Sequence, residues 1–132
     1  MTYVISWPND SFLVEFSGKV TAAEIEAVNH AFSGDERIES IRYALWDFSH
    51  ASAIDMPDAE IEYAAAFDKG VTYVRPHLRG ALVVSNDQVR AQLEKYLAFA
   101  DDLDVDWDTR IFDTIGSARD WLEKGDPQAF SG

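Results

Sequence analysis

Short apolar stretches alternate with amphipathic stretches along almost the whole chain. Five stretches have the period-two or continuous apolar character of strands, and four others have the apolar spacing of helices. Helices that alternate with strands act as crossover connections, and such connections join parallel strands. We therefore predict an α/β fold of order ββαβαβαβα: one mixed, largely parallel five-stranded sheet with helices against it. The predicted strands lie at about 3–7, 12–17, 41–47, 80–84 and 108–112.

The predicted helices begin at capping signals. Residues 21–24 have the form of a capping box, residues 85–88 repeat that form, and Thr114 caps the last helix. The second helix, from about residue 58 to 73, has an apolar face on which Asp68 is the one discordant member. The first two strands are expected to pair as an antiparallel hairpin, because turn-forming residues separate them.

Size and charge narrow the class of protein. A chain of 132 residues with 47% apolar residues predicts a single domain, here residues 1–125, followed by a C-terminal tail at 126–132. A net charge of -13 argues against nucleic-acid or anionic-membrane partners, which require a positive surface. Neither a signal peptide nor a long apolar span is present, and there is no cysteine, so we expect a cytoplasmic protein without membrane insertion.

The segment from residue 43 to 58 is the first place to look for function. It is predicted to be a short apolar strand ending at Asp47, then a loop of small residues, then a helix that starts near Pro57. Function in open α/β sheets usually lies at the carboxyl ends of strands. The candidate binding loop is therefore made of Asp47, Phe48, Ser49, His50, Ser52, Asp55, Met56 and Asp58.

Three stretches resemble the SpoIIAA-like family of the STAS superfamily, the fold of bacterial anti-sigma factor antagonists. Gly18 with residues 21–24 is similar to the family's entry to its first helix. Residues 44–58, ALWDFSHASAIDMPD, resemble its strand-loop-helix segment, and residues 110–122 resemble its last strand and helix. The resemblance covers about residues 3 to 124. It implies a STAS fold and a regulatory role in binding a protein partner.

One position departs from that family. Anti-sigma factor antagonists are phosphorylated on a serine, and the two serines of the motif fall on Met56 and Pro57 here. No hydroxyl is left, and Asp47, Asp55 and Asp58 would repel a phosphate. The resemblance therefore implies a module that lacks the usual phosphorylation switch. Ser49 and Ser52 remain as positions to which the switch could have moved.

Other chemistry has less support. His50 lies between Asp47 and Asp55, so an enzyme with acid-base chemistry at these three residues is an alternative. No phosphate-loop or dinucleotide motif occurs, the histidines lack metal-binding spacing, and residues 102–113 lack the glycine and glutamate of a calcium loop. We therefore expect no cofactor, no metal and no enzymatic activity.

Two further features have alternative explanations. Arg75, His77 and Arg79 form either the basic end of a helix or a contact with the acidic face of a second copy, which would give a homodimer. Phe48 and Met56 suit either the core or an apolar pocket or groove. The sequence thus predicts a non-enzymatic module that binds a protein partner or a small apolar ligand.

Overall fold

The computed structural model describes residues 2–124. Its five strands form one sheet in the order β1-β2-β3-β4-β5, with β1 antiparallel to β2 and all other neighbours parallel. The predicted order ββαβαβαβα and the mixed, largely parallel sheet are confirmed. The strands are β1 (Tyr3–Ser6), β2 (Phe12–Thr21), β3 (Ala44–Asp55), β4 (Arg79–Val84) and β5 (Asp108–Phe112).

The four helices lie on the two faces of the sheet unequally. Three of them pack on one face around the larger hydrophobic cluster, and the fourth packs alone on the other around a smaller cluster. The first three follow β2, β3 and β4 and so act as the crossovers between parallel strands. The helices are α1 (Ala22–Ser33), α2 (Asp58–Val71), α3 (Asp87–Asp102) and α4 (Ile115–Lys124).

Strand β3 is longer than the strand predicted for the central segment. The expected strand end at Asp47 and the loop after it are wrong, because β3 continues to Asp55. It stays paired with β2 through two register shifts, at which β3 carries an extra residue. Such bulges break the period-two pattern by which a strand is recognised. Gly18 lies at the second shift with φ +68°, a conformation that favours glycine.

Side chains at the start of α3 form hydrogen bonds with the edge of β3 that β4 leaves unpaired. Strand β4 stops pairing at the level of Phe48, and beyond it Gln88 exchanges two hydrogen bonds of 2.9 Å with the backbone of Ile54. Asn86 Nδ2 donates to the carbonyl of Ala51 at 2.9 Å, and Gln92 Nε2 to that of Met56 at 3.1 Å. These amides replace a neighbouring strand, so the backbone of β3 remains extended and satisfied.

The helix caps are confirmed in two of three cases. Thr21 and Glu24 form the predicted capping box, and the Thr114 hydroxyl accepts from the amide of Ser117 at 3.1 Å. The capping box predicted at residues 85–88 is wrong, because Asn86 caps α3 and Gln88 is bound to β3 instead. The predicted tail at 126–132 lies outside the described residues.

Candidate ligand-binding site

Two members of the predicted binding segment face the cluster under α1, α2 and α3. Phe48 is 1% exposed, and its ring stacks on that of Phe16 with a centroid distance of 4.4 Å. Met56 is half-buried and packs against the same cluster. Both alternatives considered for these residues apply together, since each belongs to the core and also lines a cavity.

The three residues of the acid-base alternative are not in contact. Asp47 is 5% exposed, and its Oδ1 accepts from the amide of Ser49 at 2.9 Å. His50 is exposed with Nδ1 at 3.3 Å from the Ser49 hydroxyl, and Asp55 lies 3.6 Å from Lys19 Nζ. Within residues 2–124, no hydrogen bond or ion pair joins His50 to either acid. The arrangement gives no structural support to an acid-base site.

The remaining members of the segment are at the surface. Ser52 is exposed at a bulge of β3, and Asp58 lies in the first turn of α2 with Lys95 Nζ at 3.0 Å. Pro57 precedes α2 and provides no side-chain cap. The segment therefore has a buried or half-buried part, Phe48 and Met56, and an exposed end, Ser52, Pro57 and Asp58.

The three basic residues near the end of α2 do not form one patch. Arg75 Nη1 donates to the carbonyls of Ile38 and Glu39 at 3.3 Å, and His77 lies 3.4 Å from a carboxylate oxygen of Asp106. Arg79 lies over the ring of Trp121, 4.0 Å from its centroid. Because the three side chains have separate partners within the chain, the structure offers no basis for a common surface that contacts a second copy.

A cavity lies between the sheet and helices α1, α2 and α3. It offers about 70 Å³ to the centres of water-sized molecules, whereas one water needs about 10–15 Å³. Most of its wall is apolar or aromatic. The lining residues are Ile25, Asn29, Phe32, Ala44, Trp46, Phe48, Ile54, Met56, Ile61, Ala64, Asp68, Leu78, Gly80, Leu82, Gln92, Leu93, Tyr96, Trp107 and Thr109.

Few polar side chains reach this cavity, and two are deeply buried. Asn29 on α1 is 5% exposed and Asp68 on α2 is 6% exposed. The hydroxyl of Tyr96, on α3, donates to Asp68 Oδ2. Asn29 also lines a groove between α1 and α2 together with Ala64, one turn before Asp68, so both buried polar groups lie on the side of the cavity near these two helices.

Burial favours the neutral form of the Asp68 carboxyl. Its surroundings raise the pKa of the carboxyl from 3.8 to about 7, because an apolar environment disfavours the ionised form. The hydrogen bond from Tyr96 opposes this effect and lowers the pKa. Burial and the neighbouring Asp68 raise the pKa of the Tyr96 hydroxyl well above 10. Near pH 7 Asp68 therefore exists in both the neutral and the ionised form.

The described residues contain no cluster of three or more His, Cys, Asp or Glu side chains that could hold a metal ion. In the segment tested as a calcium loop, Asp106 is paired with His77, and Trp107 Nε1 donates to the carbonyl of Arg75 at 2.6 Å. None of the helices within residues 2–124 is long and apolar enough to cross a membrane.

Comparison with solved structures identifies the fold. The chain is similar to a protein from Thermotoga maritima assigned as an anti-sigma factor antagonist, with a TM-score of 0.60 and 15% sequence identity, over 91% of this chain and 93% of that one. The chain has a SpoIIAA-like, STAS-type fold, as the sequence motifs implied. A protein from Shewanella loihica with a SpoIIAA-like fold, of the DUF3478 family, also matches, with a TM-score of 0.49 and 16% identity, over 91% of each chain.

Sequence comparisons add no family assignment. No protein-family model matches the chain. A search of curated proteins gives no match either.

Sequence reasoning missed most of the cavity. Of its lining, only Phe48, Ile54 and Met56 come from the central segment after Asp47, while α1, α2, α3 and the strands supply the rest. One signal was visible, because Asp68 interrupts an otherwise apolar helix face. Asn29 gave no such signal, since polar residues are common along helices.

Proposed function

We propose that residues 1–125 form a single, non-enzymatic cytoplasmic binding module that takes a small, largely apolar ligand into the cavity under α1, α2 and α3. The observation that carries this proposal is the cavity itself, because close-packed interiors rarely leave voids larger than a water molecule. The segment from Asp47 to Asp58 contributes one wall through Phe48, Ile54 and Met56.

The expected affinity follows from the apolar character of the wall. Each CH₂ group removed from water contributes about 0.8 kcal/mol, so a six-carbon chain gains about 5 kcal/mol before the cost of association. Even before that cost is subtracted, this free energy corresponds to a dissociation constant of about 0.1–1 mM, so the hydrocarbon alone binds no more tightly than this. A natural ligand that also satisfies the buried polar groups would bind more tightly.

The experiment is a native mass spectrum of the protein purified gently from its own host. We expect a small molecule to copurify with the wild type and to be lost in Ala64→Leu, which extends a side chain into the cavity. The matched control is Ala66→Leu, which makes the same change on the exposed side of α2. A bare wild-type chain, or equal amounts of ligand in both variants, contradicts the proposal.

A second candidate function is regulation through a protein partner. What supports it is the fold shared with the Thermotoga maritima protein assigned as an anti-sigma factor antagonist. The exposed end of the segment, with Ser52, Pro57 and Asp58, would be the contact surface, and it lacks a hydroxyl at Met56 and Pro57. A phosphorylation switch would then require Ser49 or Ser52, of which Ser52 is the more exposed.

Capture of partners from the host separates this candidate from ligand binding. If the partner binds at the exposed end, Asp58→Arg abolishes its capture and the control Glu94→Arg on the exposed side of α3 does not. Capture that is unchanged by Asp58→Arg removes the exposed end as the contact surface. Phosphate found on Ser52 by mass spectrometry would support a relocated switch.

A further inference from the structure

We propose that the ligand of this cavity is an amphiphilic amine, whose protonated amino group binds at Asp68 and Asn29 and whose apolar body lies against the aromatic wall. This inference rests on the proposed ligand-binding function and names the chemical class of the ligand. It is carried by two buried polar side chains that the protein leaves open to an otherwise apolar cavity.

The first observation is an amide without a partner. Asn29 is 5% exposed, and no hydrogen bond joins its side chain to another of the described residues. Its amide atoms are not among the enclosed atoms without a partner, so they open to the cavity or to the groove between α1 and α2. Buried polar side chains are hydrogen-bonded in the large majority of cases. An amide that lines a cavity and lacks a protein partner is available to a ligand, and its Oδ1 is a suitable acceptor for an ammonium.

The second observation is a carboxyl without a cation. Among the described residues, the carboxyl of Asp68 receives one hydrogen bond, from Tyr96, and the part of the cavity wall that they form includes no Lys, Arg or His. The titratable side chains that face the cavity are Asp68 and Tyr96, while the α1 wall carries Ile25, Asn29 and Phe32. The nearest charged pair on α1, Glu26 with His30, is more than half exposed, away from the cavity. A buried carboxylate is ordinarily paired with a cation, and here the ligand would provide it.

An ammonium suits this site better than other head groups. A carboxylate or phosphate would meet Asp68 with no cation to offset the repulsion. A neutral hydroxyl would leave the ionised form of Asp68 without a cation. A buried ion pair is favourable only where further hydrogen bonds satisfy its remaining donors and acceptors. The groups available to meet that condition are the Tyr96 hydroxyl, which donates to Asp68, and the Asn29 amide, which lines the same cavity.

The walls and the volume restrict the rest of the ligand. The rings of Phe32, Trp46 and Trp107 line the cavity, and aromatic faces attract cations as well as hydrocarbon. The available space holds roughly five water-sized groups, which corresponds to a ligand of about six to eight non-hydrogen atoms. Hexylamine has this size and is protonated at pH 7, as lysine is.

Amine binding would displace a proton from the protein. Because burial raises the pKa of Asp68 to about 7, about half of the molecules hold a proton there at pH 7 and about nine tenths at pH 6. An ammonium stabilises the ionised form, so binding releases that proton to the buffer. A neutral ligand releases none, and an anionic ligand favours proton uptake, so the sign of the proton change distinguishes the three classes.

The test is calorimetry with three probes of equal length: hexylamine, 1-hexanol and hexanoate, each at pH 6, 7 and 8. Measurement in two buffers of different ionisation enthalpy gives the number of protons exchanged. We expect hexylamine to bind roughly 10- to 100-fold more tightly than 1-hexanol at pH 8, where Asp68 is ionised. We also expect it to release about half a proton at pH 7.

Substitutions test which residues cause the proton release and the preference for the amine. Asp68→Asn removes both the proton release and the preference for the amine while 1-hexanol still binds. The control Glu62→Gln changes an exposed acid on the same helix and leaves both unchanged. Asn29→Leu lowers amine affinity but keeps the proton release, which tests the second polar group independently of Asp68.

The outcomes separate this inference from the function on which it rests. Binding of 1-hexanol or hexanoate as tightly as hexylamine, or a preference for the amine that persists in Asp68→Asn, overturns the amine while the ligand-binding function stands. If none of the three probes binds to the folded wild type at millimolar concentration, both the amine and the proposed function fail.

Discussion

The two faces of the sheet are built differently. Under α4 the buried residues Tyr43, Leu45, Ala81, Val83, Ala118 and Leu122 form a small apolar cluster. Under α1, α2 and α3 the cluster is larger but encloses a cavity, and buried Asn29 and Asp68 reach that cavity. A cavity and a lone buried acid both cost stability. Both clusters stabilise the fold, and the difference is that the face under α1, α2 and α3 also keeps features that suit ligand binding.

The largest expected effect comes from matched leucine truncations on the two faces. Leu122 on α4 is 0% exposed, and Leu93 on α3 is 8% exposed and lines the cavity. Leu122→Ala should lower the free energy of unfolding by about 3–5 kcal/mol, and Leu93→Ala by about 2–3 kcal/mol, because Leu93 already lacks neighbours on one side. Urea denaturation measures both. Equal costs, or a larger cost at Leu93, would remove the distinction between the faces.

The second effect is a dependence of stability on pH that arises from Asp68. Its pKa is about 7 in the folded protein and ordinarily 3.8, so between these values the folded state holds a proton that the unfolded state has lost. Stability is therefore lost as the pH rises from about 4 to 7, at up to about 1.4 kcal/mol per pH unit. Asp68→Asn should abolish this loss and exceed the wild type in stability at pH 7 by at most about 4 kcal/mol.

Urea denaturation of the wild type and Asp68→Asn between pH 4 and 8 measures this dependence. The control is Asp55→Asn, which changes an exposed acid and should leave the wild-type slope in place. A wild-type slope that persists in Asp68→Asn would show that Asp68 is not the group responsible.

The third effect concerns the hydrogen bonds between the Gln88 side chain, at the start of α3, and the C-terminal part of β3. Gln88→Met keeps the length of the side chain and removes both bonds to Ile54. We expect a loss of about 1 kcal/mol and faster hydrogen exchange at the Ile54 amide. Glu94→Met, on the exposed side of α3, serves as the control. Unchanged protection of Ile54 would mean that the edge of β3 does not depend on α3.

The smallest effect is at Gly80, where β4 borders the cavity. An added Cβ would lie 3.5 Å from Thr109 Oγ1 and 3.9 Å from the Ala44 carbonyl oxygen, which is ordinary contact. Gly80→Ala should raise the unfolding free energy by about 0.5 kcal/mol, because the unfolded chain loses freedom. It should also weaken the binding of 1-hexanol by reducing the space available. A destabilised variant in urea denaturation would indicate that this wall is tighter than the contacts imply.

The alternation of strands and helices allowed the fold to be predicted, because each element carries its own periodic signal. The end of β3 was missed for two reasons. Its bulges break that signal, and the amides that satisfy its edge come from Asn86 and Gln88, more than thirty residues away in the chain. A local pattern does not contain such contacts.

The candidate site was predictable only in part, for a related reason. Phe48 and Met56 could be chosen as apolar residues of the central segment, although the strand end predicted just before Phe48 was wrong, and Asp68 was visible as an acid on an apolar face. The cavity itself depends on how three helices pack on the sheet. Asn29 acquires its significance only from that packing, since on α1 alone it resembles any polar helical residue.

The most direct test of the central claim is a titration with 1-hexanol of protein labelled at its methyl groups, followed by NMR. Leu82 and Val83 are neighbours on β4 but belong to opposite faces, Leu82 to the cavity wall and Val83 to the α4 cluster. We predict saturable shifts at Leu82, Ile25 and Ile61, with Val83 and Leu122 unmoved. Shifts spread equally over both faces, or none at millimolar concentrations, would contradict the claim that the α1–α3 face binds a ligand.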